Sequence, residues 1–243
     1  TMPEERFTPF RLQMGVYGQR QEGVQMVRAK LPGGVMTPDQ LDVIAECVES
    51  YAGALPTDGT LTEAPEKVAH VTTRQDIQAN FVKLEDVLPF LRKLDAAGMT
   101  TREACGNTVR NVTICFLAGR CPAEHADVTI HARKFAEFYL CHPLGQQFPR
   151  KFKVTFSGCA TDCGLSGMHD AGFIATAKDG KRGFEVWAAC VLSPQPMGAR
   201  LVEVFIEDSE LFVVGEALMR MHFKYSDRKR LARARMKCVA QKL

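Results

Sequence analysis

Two short stretches decide the fold expected for this chain: Cys115-Phe-Leu-Ala-Gly-Arg-Cys121 and Ser157-Gly-Cys159-Ala-Thr-Asp-Cys163. Five residues separate the first cysteine pair and three separate the second, so four thiolates could converge on one soft metal centre if the chain folds back between them. Zinc sites usually have about two to four residues between paired ligands, which argues against zinc without excluding it. Iron-sulfur clusters accept irregular gaps because a cluster is larger than one ion. The spacing therefore favours an iron-sulfur site.

Composition describes an ordinary globular chain. Its 243 residues are 46% hydrophobic and 24% charged, which suffices for one large domain or two small ones. A net charge of +3 does not by itself indicate nucleic acid or an anionic membrane as a partner. Residues 1–11 do not resemble a signal peptide, and no apolar stretch approaches the roughly 18 residues that span a bilayer. We expect a cytoplasmic protein that binds neither membrane nor nucleic acid.

The cysteine count is high for such a chain, at nine. A disulfide scaffold is not expected, since thiols in a cytosolic protein stay reduced. Cys47, Cys190 and Cys238 lack a paired neighbour and are expected to be small buried hydrophobic residues. Cys105 is expected close to the site without being a ligand, and the role of Cys141 stays open.

Hydrophobic periodicity predicts an α+β organisation with a boundary near residue 100. Thr37-Pro38-Asp39-Gln40 is a typical helix start, with a capping residue, proline at the first helical position and glutamine three residues after the cap. The remaining predictions are an arm or irregular strand at 1–20, strands at 24–31, 67–73, 80–83 and 151–157, a loop at 53–66, a hairpin at 172–191 around Asp179-Gly180, and helices at 37–51, 86–97, 123–141, 209–224 and 227–242.

Cations alternate with apolar residues along two predicted strands. Arg28 and Lys30 are expected to point away from a core face, and so are Lys151 and Lys153. Charged strand residues usually face water, but together such cations could converge on a polyanion. Because Lys151 and Lys153 shortly precede Cys159, the cations and the metal ligands are expected at one end of one strand.

Other chemistry finds no support in the sequence. The six histidines are scattered and none forms a recognisable pair with a nucleophile. Leu31-Pro32-Gly33-Gly34 lacks the Lys-Ser/Thr of a phosphate-binding loop. The basic stretch from Arg228 to Lys237 is expected to be a solvated helix face, although nucleic acid is conceivable there.

Several motifs, taken together and in order, carry a specific resemblance. They are Met26 to Gly34, Thr72-Thr73-Arg74-Gln75 with Gln78, Asn107 to Asn111, Cys115 with Cys121, Pro149 to Lys153, and Ser157 to Gly164. From about Gly15 to Leu243 the chain resembles the siroheme and iron-sulfur nitrite and sulfite reductases. That resemblance implies a ferredoxin-like α+β domain at 1–99 and a larger α+β domain at 100–243, with a mixed sheet and flanking helices, which binds siroheme and a [4Fe-4S] cluster.

The resemblance also implies roles for individual residues. Cys115, Cys121, Cys159 and Cys163 would hold the [4Fe-4S] cluster, and Cys163 would also bridge to the siroheme iron. The residues lining the distal pocket, which bind the oxyanion and help to deliver protons, would be Arg28, Arg110, Lys151 and Lys153. The residues holding the carboxylates of the macrocycle would be Thr72, Arg74, Gln78 and Arg150.

The activity that this resemblance implies is reduction of sulfite to sulfide, with nitrite to ammonia as the alternative. A non-catalytic cluster or tetrapyrrole carrier and a zinc-stabilised binding module are the other possibilities. No flavin or nicotinamide motif is visible, so an external electron donor such as a ferredoxin or a flavoprotein is expected. Typical members are about twice as long and contain two related halves. We therefore expect a homo-oligomer that rebuilds both halves; an excised half of a longer protein is the rival explanation.

Overall fold

The computed structural model describes residues 2–53, 67, 69–192 and 195–242. Backbone contacts divide the chain into two compact units, Thr1–Gly106 and Asn107–Leu243, whereas the sequence placed a boundary after residue 99. Each unit combines helices with one sheet. The predicted α+β class is therefore confirmed.

The first unit is built on an antiparallel sheet of order β1-β2-β4-β3. Its core joins the sheet to two helices through side chains such as Val27, Ile44 and Leu94. The elements are α1 (Glu4–Gln13), β1 (Val16–Gly18), β2 (Val24–Ala29), α2 (Pro38–Tyr51), β3 (Ala69–Val71), β4 (Ile77–Lys83) and α3 (Leu84–Ala96).

Local signals predicted this unit well where they were strong. The start of α2 is the expected capping box, in which the Gln40 N–H donates to Thr37 Oγ1 at 3.2 Å and the Thr37 N–H donates to Gln40 Oε1 at 3.0 Å. Helix α1 was missed because it buries no residue and so has no apolar face to detect. Most of the loop predicted at 53–66 lies outside the described residues.

The second unit contains a five-stranded sheet of order β5-β6-β7-β8-β9. Strands β5, β6 and β7 are parallel, and β7, β8 and β9 are antiparallel, which confirms the predicted mixed sheet. The elements are β5 (Val109–Ile114), α4 (Val128–Tyr139), β6 (Phe152–Ser157), β7 (Ala171–Lys178), β8 (Lys181–Ala188), β9 (Arg200–Glu207), α5 (Leu211–Tyr225) and α6 (Met236–Ala240).

Aromatic side chains fill the core of this second unit. Phe156 and Phe173 stack at 4.9 Å between ring centroids, and Phe135 of α4 meets Phe156 edge-on at 5.7 Å. All three rings are fully buried. This packing fixes the sheet against its helices and so sets the position of the loops at the strand ends.

The predicted helix at 227–242 is wrong, since only a single turn at Leu231–Arg233 and α6 are helical there. The Asp227 carboxylate accepts the N–H groups of Lys229 and Arg230 at 2.8 and 2.9 Å, which closes a turn in place of a helix. Strand β9 was missed because most of its residues are exposed and show no alternation.

Within the described ranges, each helix falls short of the length and apolarity that a bilayer crossing requires.

Candidate functional site

Both cysteine pairs lie beyond the carboxyl ends of two neighbouring parallel strands. Cys115 directly follows β5, and Cys159 lies two residues after β6. The strands pair with Val112 opposite Val154, so their carboxyl ends reach the same edge of the sheet. The Cys115 N–H extends this pairing by donating to the Phe156 carbonyl at 2.9 Å. The sheet thereby brings the two cysteine loops together.

The four paired cysteines meet at this edge. The thiol of Cys115 lies within hydrogen-bonding reach of that of Cys163, and the thiols of Cys121 and Cys159 are in the same relation. Each contact therefore joins one member of each sequence pair. Cys115 and Cys159 are buried, whereas Cys121 and Cys163 are half-buried.

The arrangement has the character of a cluster site more than of a single-ion site. Over the part of the chain that the structure describes, no three His, Cys, Asp or Glu side chains are placed to hold one metal ion. A structural zinc ion needs its donors around one point, whereas an iron-sulfur cluster accepts thiolates at separate corners. Two facing thiol pairs agree better with the cluster.

Thiol ionisation differs between the two loops. Burial raises the pKa of Cys115. The hydroxyl and the backbone N–H of Thr161 donate to Cys159 and lower the pKa of that thiol. Because the thiolate is the form that binds metal, the second loop presents at least one sulfur already biased toward it.

A buried polar network shapes the backbone around Cys163. The Ser157 hydroxyl donates to Asp162 Oδ1 at 2.5 Å and accepts the Gly164 N–H at 3.0 Å, while Asp162 Oδ1 also accepts the Ser166 N–H at 2.9 Å. The Thr155 hydroxyl donates to the Gly164 carbonyl at 2.9 Å. The sequence signal for this network is the pair Thr155 and Ser157, two polar side chains that interrupt an apolar strand beside a cysteine pair.

Cations gather in the second unit around the start of β6. Arg110 lies on β5, Arg150 and Lys151 precede β6, and Lys153 is its second residue; all four side chains are half-buried. Between them Phe152 is fully buried, as the alternation predicted. Burial, together with the nearby charges of Arg110, Arg235 and Arg150, lowers the pKa of Lys151 to about 8, while the charge of Asp170 acts in the opposite direction.

The cations and the cysteines do not share an end of β6. Lys151 and Lys153 lie at its amino end, and Cys159 lies beyond its carboxyl end. Six residues at about 3.3 Å each give this strand a length of about 20 Å. The prediction that both groups lie at one end of the strand is wrong.

In the first unit, two of the predicted site residues contact each other. Arg28 on β2 stands directly opposite Gln78 on β4, and Arg28 Nη2 donates to Gln78 Oε1 at 2.7 Å. Arg28 Nη1 donates to the Ala104 carbonyl at 3.5 Å. Arg28 Nε is buried and makes no hydrogen bond to the residues that the structure describes. A buried donor of this kind indicates a missing acceptor.

Thr72, Arg74 and the overlooked Asp76 form a turn before β4. Thr72 Oγ1 accepts the N–H groups of Arg74 and Asp76 at 3.2 and 3.1 Å, which keeps the turn closed. Asp76 is 1% exposed and accepts the Leu31 N–H at 3.3 Å. Burial raises its pKa to about 6, although that hydrogen bond and the charges of Arg28, Arg74 and Lys30 act in the opposite direction.

Two family models match the chain. Residues 105–243 match the nitrite and sulphite reductase 4Fe-4S domain, which is more than half of the chain. The chain belongs to this reductase family. Residues 17–55 also match the nitrite/sulfite reductase ferredoxin-like half domain. The predicted family is confirmed.

Curated relatives carry both nitrite and sulfite in their names. An assimilatory ferredoxin-dependent nitrite reductase of Haloferax mediterranei is 32% identical over 97% of this chain and 42% of that protein. A sulfite reductase [ferredoxin] of Mycobacterium tuberculosis is 28% identical over 92% of this chain and 41% of that protein. The chain thus spans about two fifths of the length of these relatives.

Solved structures share the fold. The NirA protein of Mycobacterium tuberculosis superposes with a TM-score of 0.87 at 24% identity, covering 99% of this chain and 45% of that one. Dissimilatory sulfite reductase I superposes with a TM-score of 0.72 at 13% identity, covering 90% and 67%. Both matches support the α+β fold of the chain.

Membership of this family implies a [4Fe-4S] cluster and siroheme as cofactors. The residues present fit both groups. Four converging thiols suit the cluster. The half-buried cations of the second unit suit a ligand rich in carboxylates.

Replacing Gly164 should impair cluster assembly. A Cβ at this position would lie 2.5 Å from the Phe156 carbonyl oxygen and 2.6 Å from Ser157 Oγ, so Gly164→Ala should displace the loop of Cys163 and destabilise the protein by about 1–3 kcal/mol. Iron and acid-labile sulfide per chain should fall by more than about half. Gly167→Ala is the matched control, because nothing lies within 4 Å of its added Cβ. Equal iron contents in the two variants would contradict this account.

The charge of Asp76 should make stability depend on pH. Its pKa is about 6 in the fold against a usual 3.8, so the folded chain binds the extra proton and stability falls as pH rises from about 4 to about 6. The difference between the two pKa values corresponds to about 3 kcal/mol in the free energy of unfolding. In Asp76→Asn the decline should disappear in denaturant titrations at several pH values. Asp95→Asn, at an exposed site, should keep it; an unaltered decline in Asp76→Asn would refute the assignment.

Proposed function

We propose that the chain is the catalytic part of a siroheme-dependent sulfite reductase that takes sulfite to sulfide, with electrons delivered through a [4Fe-4S] cluster. The observation that carries this proposal is the meeting of Cys115, Cys121, Cys159 and Cys163 at one edge of the second sheet. These four thiolates would hold the cluster, and Cys163 would also bind the siroheme iron. When bound, the two groups supply the electron transfer and the iron on which the oxyanion is reduced.

The half-buried cations would bind the oxyanion and supply protons. Arg28, Arg110, Lys151 and Lys153 are the proposed set. Lys151 has a pKa of about 8, so its Nζ is charged at neutral pH and could donate a proton to an oxygen of the anion that leaves as water. Arg110 keeps its charge at any working pH and would hold the anion while Lys151 titrates.

The carboxylates of the macrocycle would be held by Thr72, Arg74, Gln78 and Arg150. Arginine suits this task because its planar fork binds a carboxylate through two parallel hydrogen bonds. Gln78 already orients Arg28 at 2.7 Å, which supports a joint role for the two. Thr72 shapes the turn that carries Arg74, which supports an indirect contribution.

Nitrite reduction to ammonia is the second candidate function. It is favoured by the names of two relatives, the nitrite reductase of Haloferax mediterranei and the ferredoxin–nitrite reductase of Leptolyngbya laminosa, at 32% and 28% identity. A cationic pocket accepts either small oxyanion. We propose a ferredoxin or a flavoprotein as the electron donor; several relatives are named as ferredoxin enzymes.

We further propose that a second copy completes each site. The chain covers about two fifths of the length of its curated relatives, and a second copy would supply a second set of the same cations and cysteines. In a homodimer, Lys151 and Lys153 of one copy would serve the siroheme bound to the other.

Neutral replacement of the two lysines separates an enzyme from a cofactor carrier. Lys151→Met with Lys153→Met should keep the visible absorption spectrum, the iron and the tetrapyrrole, but should lose sulfite and nitrite reduction by at least about a hundredfold. Lys178→Met, at an exposed strand end, is the control and should keep activity. Unchanged reduction in the double variant would indicate a carrier, and a colourless protein with zinc would indicate a binding module. The kcat/KM values for sulfite and nitrite then decide the substrate.

Mixing two inactive variants tests the proposed second copy. The double lysine variant and Cys163→Ser should each be inactive alone, whereas coexpression should restore about a quarter of the wild-type activity. Half of the dimers would then be mixed, and each mixed dimer would contain one intact site. Complementation should appear only in the dimer fraction from sedimentation. A fully active wild-type monomer would refute the arrangement.

A further inference from the structure

A carboxylate occupies the place where the ladder between β6 and β7 begins. These parallel strands pair from Val154 opposite Ala171 onward. One residue earlier, the Lys153 N–H donates to the side chain of Asp170, at 2.9 Å from Oδ2. Asp170 thus fixes the backbone of Lys153 at the amino end of the strand, and it is fully buried.

Arg235, just before α6, holds this carboxylate. Its Nη2 lies 2.8 Å from the same Oδ2 of Asp170, with the two side chains 12% and 0% exposed. The other carboxylate oxygen, Oδ1, and Arg235 Nε are buried and make no hydrogen bond to any described residue. A buried ion pair with unmade hydrogen bonds is a poor source of stability, so a role beyond stabilising the fold is indicated.

Two further contacts come from the same carboxyl-terminal segment. His222 of α5 is fully buried, and its Nε2 lies 2.8 Å from the Arg150 carbonyl. A carbonyl only accepts, so Nε2 carries the proton, and Nδ1 accepts from the Ser226 hydroxyl at 2.8 Å. Burial lowers the pKa of His222, which keeps the ring neutral. Arg228 Nη1 donates to the Gln147 carbonyl at 2.9 Å.

We infer that Asp170 and Arg235 are positioning residues for Lys151 and Lys153, within a clamp that α5, α6 and their connection place on residues 147–153. The clamp contacts Gln147, Arg150 and Lys153, which are every third residue of the segment. This inference rests on the proposed function, because it concerns the cations proposed to bind the oxyanion.

The two members of the ion pair act on Lys151 in opposite directions. The Asp170 carboxylate stabilises the charged amine, whereas the Arg235 guanidinium disfavours it, in the same direction as Arg110, Arg150 and burial. Removing one member therefore shifts the titration of Lys151 down, and removing the other shifts it up. Mere loss of stability has no reason to give opposite shifts.

The test measures the titration of Lys151 in the full chain purified anaerobically with its cofactors. Competitive acylation over a range of pH, followed by mass spectrometry of the peptide, gives the midpoint for this amine. The midpoint should move to lower pH in Asp170→Asn and to higher pH in Arg235→Gln. The Michaelis constant for nitrite should rise by about tenfold in Asp170→Asn with cofactor content unchanged. Glu137→Gln, which breaks an exposed ion pair with Arg133, should change neither quantity.

Shifts in the same direction, or no shift in either variant, would overturn the inference. If one variant loses its thermal unfolding transition, the direction measured in the other decides the question. Acylation requires no turnover, so the proposed function can fail separately. Opposite shifts in the two variants, found together with a wild-type protein that reduces neither sulfite nor nitrite, would support the clamp. They would at the same time reject the proposed reductase function.

Discussion

The parallel pairing of β5 with β6 is the constraint on which the site depends. Parallel strands send their carboxyl ends to one edge, so Cys115 and Cys159 become neighbours although a helix and its loops separate them in the chain. The same pairing sends Arg110 and Lys153 toward the opposite edge. The sheet thus has a cationic end on one side and the cysteine loops on the other. The buried rings of Phe156 and Phe173 keep that separation rigid.

Like charges repel one another at the amino end of β6. Lys151 lies near Arg110, Arg150 and Arg235 while it is partly removed from water. Like charges held together in such an environment are unfavourable until an anion joins them. A carboxylate-bearing macrocycle or an oxyanion would relieve this repulsion on binding. Holding these like charges together therefore costs the free chain some stability.

Much of this design was predictable because its signals are local. The cap of α2, the alternation around Phe152 and the spacing of the cysteine pairs each depend on residues adjacent in sequence. Contacts between distant segments were not predictable. Asp170 meets Arg235 across the unit, and Lys30, expected on a face turned away from the core, is buried against Glu103 at 3.4 Å. The prediction that Lys153 and Cys159 lie at one end of the strand failed for a different reason. Sequence proximity was taken for spatial proximity, although an extended strand is the conformation that separates its ends most.

The crossed contacts of Cys115 with Cys163 and of Cys121 with Cys159 have a consequence for biogenesis. Thiols that face each other in pairs are prone to oxidation by dioxygen or peroxide, which would join the two loops covalently and consume all four sulfurs. In the reductase proposed above these sulfurs would hold the cluster, so oxidation of either facing pair before iron arrives would block assembly of the whole metal site.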